Sequence, residues 1–120
     1  MPNIKLMEEA LPVAPLKIAA LESCRELGQK VNDYIVRFRQ DTLRESLDSP
    51  LFSSYQLENY LIECKCPRFG TGEAKGIIGE SIRGKDLFLM VDVCNYSLTY
   101  TVNGHLNHMS PDDHYQDLKR

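Results

Sequence analysis

Leu16-Lys17-Ile18-Ala19-Ala20-Leu21 is a short apolar run of strand length, and Ser23-Cys24-Arg25-Glu26 follows it with the S-x-x-E spacing of a helix capping box. Beyond it, Leu27, Val31, Tyr34, Ile35 and Phe38 recur at helical spacing and would form one stripe. Asp33 and Arg37 can pair one turn apart on the wet side. The pattern predicts a strand over 16–21 and a helix over 24–41, the opening of a strand–helix–strand unit. Upstream, residues 1–15 hold three prolines and no sustained period, which reads as an arm preceding a domain over 16–120.

Downstream, Thr42 to Gln56 is polar, with a turn signal at Asp48-Ser49-Pro50. Tyr60, Ile62, Cys64 and Cys66 then alternate with Leu61, Glu63 and Lys65, a half-buried strand stopped by Pro67. A glycine-rich loop from Phe69 to Gly76 leads to a short strand over 77–82 and a tight turn at Arg83-Gly84-Lys85. Leu87 to Val91 is unbroken apolar sequence, which predicts a central strand covered on both faces. Leu98, Tyr100 and Val102 alternate up to Asn103-Gly104, a strong hairpin signal, and Leu106 and His108 carry the alternation beyond it. Ser110-Pro111-Asp112-Asp113 has the cap, the first-turn proline and the acids of a helix start, with Tyr115 and Leu118 beginning an apolar stripe. The chain stops two turns into that helix, which predicts that these residues are the front part of a longer protein.

The 120 residues are 42% hydrophobic and 26% charged, the balance of an ordinary globular domain. Fourteen Lys and Arg against 17 Asp and Glu give a net charge of −3, which disfavours general binding of nucleic acid. No apolar run approaches the ~20 residues that span a bilayer. The acidic, broken N-terminus does not fit a signal peptide, so no membrane partner and a cytoplasmic location are expected.

Several clusters could carry chemistry. Cys64 and Cys66 would face one way on a strand and could form half of a zinc site completed by Cys94 or a histidine; the alternative is buried thiols serving as small hydrophobes. Gly79 to Lys85 has the G-x4-G-K skeleton of a phosphate loop, but Asp86 stands where a hydroxyl should hold magnesium and an apolar strand follows instead of a helix. His105, His108 and His114 lie near Asp112, Asp113 and Asp117, yet His105 and His108 have opposite strand parity, so a polar rim is the expected reading. Around Thr71, flanked by Gly70 and Gly72, the pattern leaves two readings equal. Phe69 could stack on a flat heterocycle while Glu73 accepts from its exocyclic amine, or Phe69 could turn into the core of an ordinary strand connection.

Arg68-Phe69-Gly70-Thr71-Gly72-Glu73, then Glu80-Ser81-Ile82-Arg83-Gly84-Lys85-Asp86-Leu87-Phe88, then Cys94-Asn95, resembles the N-terminal domain of ribose-phosphate pyrophosphokinase (phosphoribosyl pyrophosphate synthetase). The family writes R-F-S-D-G-E, a strand, E-S-V-R-G-K-D-V-F and a second strand ending near C-N. The resemblance implies an α/β domain of the type I phosphoribosyltransferase fold, with a central, mostly parallel sheet flanked by helices. It implies an enzyme that assembles as a homo-oligomer and uses magnesium to move diphosphate from ATP onto ribose 5-phosphate. Carried over by position, Phe69, Thr71 and Glu73 fall on the loop that holds adenine, while the family's catalytic, metal-binding and ribose-phosphate segments lie beyond residue 120. Thr71 stands where Asp or Asn is usual, Val91 and Asp92 where Gln and Ser are usual, and the Asn103-Gly104 hairpin is an insertion. These departures define a divergent branch, and a non-catalytic relative serving binding or assembly is the alternative expectation.

Overall fold

The structure, a computed structural model, describes residues 14–45 and 56–120, with side chains of 42–45 outside the description. The polar turn expected at 48–50 and nearly all of the arm expected over 1–15 lie outside the described residues.

β1 spans Leu16–Ala20 and lies in the middle of a small parallel sheet. On one side it pairs in parallel with β4, Asp86–Met90, in a register that sets Ile18 beside Phe88 and Ala20 beside Met90. On the other side it meets the segment around Leu61, also in parallel: the Ile18 N–H donates to the Tyr60 carbonyl at 2.8 Å and the Ile62 N–H to the Ile18 carbonyl at 2.9 Å. The expected strand–helix–strand unit is therefore present. After one 3₁₀ turn, Glu22–Cys24, α1 runs from Arg25 to Glu45 and links β1 to its parallel neighbour.

The core is built from small and shape-specific contacts. Ile18, Ala19, Ala20, Tyr60 and Ile62 are buried on the sheet, and Gly28 and Asn32 are the buried positions of α1 facing them. A Cβ on Gly28 would come within 2.5 Å of the Ala20 Cβ, so the helix lies against β1 at the closest approach that glycine permits. Asn32 fills a polar role in that seam: its side-chain oxygen accepts from the Tyr60 N–H at 2.7 Å.

Four local expectations differ from the structure. Ser23 does not cap α1; its hydroxyl accepts from the Asp92 N–H at 3.0 Å, and the chain enters the helix through an extended Leu21 with no side-chain cap. A distant backbone donor outcompetes the local one. The predicted apolar stripe of α1 is only half used: Leu27, Tyr34 and Phe38 are exposed, because Gly28 and Asn32 turn the neighbouring face inward. β4, expected to be covered on both faces, leaves Phe88 62% and Leu89 52% exposed, because among the described residues its ladder partner is β1 alone. Asp33 and Arg37 do meet, but the Arg37 Nε donates to the Asp33 carbonyl while Gln29 holds the carboxylate at 2.8 Å.

β2, Cys64–Lys65, pairs antiparallel with β3, Ile77–Ile78. Both are shorter than their sequence patterns, though Tyr60, Ile62, Cys64 and Cys66 keep the inner side of the alternation. β5, Thr99–Val102, and β6, His105–His108, form the expected hairpin. Asn103 and Gly104 both have positive φ, 50° and 80°, as a type I′ turn requires. That turn pairs Val102 with His105, so Leu106 and His108 lie on the face opposite Tyr100 and Val102 instead of continuing it. α2, Pro111–Lys119, begins with a complete capping box between Ser110 and Asp113. The result is a mixed domain of helices and strands around a small parallel sheet. A central parallel sheet flanked on both faces by helices is more than the described residues contain.

Candidate functional site

Pro67 to Lys75 forms a miniature hairpin. Arg68 and Ala74 bridge in antiparallel fashion, the Lys75 N–H donates to the Pro67 carbonyl at 3.0 Å, the Phe69 N–H to the Glu73 carbonyl at 2.8 Å and the Gly72 N–H to the Phe69 carbonyl at 2.9 Å. Gly72 sits at φ +87°, where only glycine is unstrained. These bonds close the tip so that Phe69, Thr71 and Glu73 all face outward. Phe69 is 57% exposed, so of the two readings the core one is set aside by the geometry.

The three sequence-derived residues are not equivalent in space. Thr71 and Glu73 line a pocket of about 440 Å³ together with Arg68, Tyr100 and Arg120, whereas Phe69 stands outside that lining. The Glu73 carboxylate is paired with the Arg120 guanidinium at 2.7 Å. Beneath the loop, the Arg68 guanidinium donates to the Gly72 carbonyl at 2.8 Å and to the Asp117 carboxylate at 3.0 Å, and lies 4.2 Å over the Tyr100 ring. Burial pushes the Asp117 carboxyl above the ordinary carboxylate range, and the Arg68 charge opposes that rise. Sequence reading gave no site role to Arg68, Tyr100 or Arg120, and set Asp117 only beside the histidines. The only local signal was Arg68 preceding Phe69; the other partners come from elements 30 to 50 residues away.

A second cleft, about 360 Å³, opens past the C-terminal end of β1 and is lined by Arg25, Cys64, Cys66, Arg68, His114 and Asp117 among others. Cys64 and Cys66 do share a side, as strand parity requires, and each thiol points at a carbonyl, Ala20 at 3.1 Å and Asp117 at 3.6 Å. Burial raises both thiol pKa values above the usual range. Cys94 is exposed at the turn after β4 and does not line this cleft. His114 is buried with Nε2 at 2.6 Å from the Asn95 carbonyl, so that nitrogen carries the proton, while His108 stacks on Tyr96 with 4.5 Å between centroids. Among the described residues, no group of three or more His, Cys, Asp and Glu could hold a metal ion. Lys85, the lysine of the G-x4-G-K skeleton, is tied to Glu80, and the segment leads directly into β4. None of the described helices is long and apolar enough to cross a membrane.

No curated protein sequence and no solved structure matches the chain at a significant level. A family model does: the one for the N-terminal domain of ribose phosphate pyrophosphokinase covers residues 16–118, from the first residue of the central strand almost to the end of α2. With the exposed Arg68-Phe69-Gly70-Thr71-Gly72-Glu73 loop and the Glu80-to-Phe88 segment lying inside that span, the chain belongs to the family of the N-terminal domain of ribose phosphate pyrophosphokinase.

Proposed function

We propose that this chain is the adenine-binding, assembly-forming N-terminal part of a ribose-phosphate diphosphokinase of the type I phosphoribosyltransferase fold. The whole enzyme would transfer the diphosphate of ATP to ribose 5-phosphate, giving phosphoribosyl pyrophosphate and AMP. The observation that carries the reading is the outward Phe69 at a closed loop tip, within a segment that matches the family. Its ring face is free for offset stacking on a purine. Glu73 offers a carboxylate acceptor for the exocyclic amine, with Arg120 holding it in place, and Thr71 offers a hydroxyl. Magnesium, bound elsewhere with the phosphates, would neutralise charge in a displacement governed by positioning. The apolar side chains left uncovered on β4 and α1 support assembly into a homo-oligomer. A non-catalytic relative is the second reading, favoured by the Glu73–Arg120 pair and by Thr71 at a position where the family uses Asp or Asn.

Phe69→Ala in the intact protein tests the loop. Loss of an aromatic–base contact worth roughly 1–3 kcal/mol should weaken ATP binding about 5- to 150-fold. Because the ring is exposed, the melting temperature should hardly move. Unchanged ATP affinity would refute the adenine-loop assignment. Formation of phosphoribosyl pyrophosphate by the intact protein, or its failure, separates the enzyme from the non-catalytic relative.

A further inference from the structure

The β5–β6 hairpin has a structural target. Its inner face carries Tyr100 and Val102 against the glycine-rich loop. The Tyr100 ring lies 4.2 Å under the Arg68 guanidinium, and a Cβ on Gly72 would touch the Val102 methyl at 3.1 Å. Arg68 is then held on three sides: by the ring, by the Asp117 carboxylate of α2, and by the Gly72 carbonyl. That carbonyl belongs to the loop itself, between Thr71 and Glu73. A planar guanidinium can donate to two acceptors in its own plane while its face stacks on a ring, a fixed geometry that a compact ammonium lacks.

We propose that Arg68 is the positioning residue that holds the 69–73 loop in its nucleotide-receiving shape, and that the β5–β6 hairpin and α2 together form its brace. The inference rests on the proposed adenine-binding role of the loop and deepens it. A loop with two glycines, Gly70 and Gly72, has much conformational freedom to lose when a ligand binds. The brace removes that freedom beforehand. At Gly72 the positive φ favours glycine, and the Val102 methyl leaves an added Cβ little room.

The test uses the intact protein and two readouts. Amide hydrogen exchange of Phe69 and Gly72, whose N–H groups close the loop, reports the brace without nucleotide. Calorimetric titration with ATP reports the consequence. In Arg68→Met and Tyr100→Leu, exchange at these two amides should rise about ten-fold or more, as expected for loss of a charge-assisted bond network. Amides of α1 should keep their protection, and the affinity for ATP should fall while the KM for ribose 5-phosphate stays. Tyr100→Phe keeps the ring and loses only a 3.5 Å contact to Asp113, so it should restore both readouts. If Arg68→Met does not fold, Tyr100→Leu carries the test by itself. Unchanged exchange at Phe69 and Gly72 would overturn the brace, whatever ATP does. Faster exchange with ATP affinity intact, in a protein whose Phe69→Ala variant has lost ATP binding, would overturn the positioning role while leaving the adenine loop standing.

Discussion

At the residue scale, Gly28 and Asn32 decide how α1 meets the sheet. Alanine in place of glycine normally stabilises a helix interior by about 1 kcal/mol. At Gly28 the added methyl would lie 2.5 Å from the Ala20 Cβ, which is fixed to the backbone and cannot rotate away. Gly28→Ala is therefore expected to destabilise, by an overpacking cost of about 1–3 kcal/mol less that gain, measured as the urea midpoint. Asn32→Ala would leave the buried Tyr60 N–H without its acceptor and should cost about 1–3 kcal/mol in the same assay. Asp117 adds a pH dependence. Its native pKa is raised, chiefly by burial, so the folded state binds the proton more tightly than the unfolded chain does. Stability from this group is fully present below the unfolded value of about 3.9 and is lost as pH rises through the higher native value. Asp117→Asn should remove that decline: midpoints of the two proteins plotted from pH 3.5 upward should lie close together in acid and separate as pH rises, the Asp protein falling below. Parallel curves would show that the carboxylate does not titrate as described.

At the element scale, local patterns were the legible ones. β1, α1, β4, the Asn103-Gly104 hairpin and the Ser110 cap all follow from runs of neighbouring residues, and all are present. Ser110→Ala should cost about 0.5–2 kcal/mol by thermal melting, since it removes the acceptor of the Asp113 N–H in a short helix. The Ser23-x-x-Glu26 box looked equally good in sequence and is not used, because the Asp92 N–H reaches that hydroxyl from β4's far end. The loop containing Phe69, Thr71 and Glu73 was legible as a motif. Its outward orientation was not, since the same motif also fits a Phe69 turned into the core, and the Asp117 and Tyr100 that meet Arg68 beneath the loop stand tens of residues away. The same non-local cause explains the half-exposed α1 stripe: periodicity shows which residues could face inward, and Gly28 and Asn32 show which face does.

At the scale of the whole molecule, the uncovered side chains of β4 lie on an edge strand with a free ladder side among the described residues. Replacing Phe88 and Leu89 by serine should lower the apparent mass in sedimentation if this edge takes part in assembly. The parallel sheet has another consequence, in time. Both neighbours of β1 arrive late: Leu61 stands 43 residues after Ile18, and Phe88 stands 70 after it. The β5–β6 hairpin, by contrast, closes through a two-residue turn, an event of about 1–10 μs in isolated peptides. A chain emerging from the ribosome therefore carries its innermost strand without a neighbour until residues 60–62 have been made, and without its ladder partner until 86–90 have, and the entropy of closing those long loops delays the sheet further. Pulse-labelling during refolding should show amides of 99–108 protected before those of 16–20. The buried strand that opens the fold in sequence is expected to be among the last to find its place, and for that interval Ile18 is as available to a chaperone as to its own neighbours.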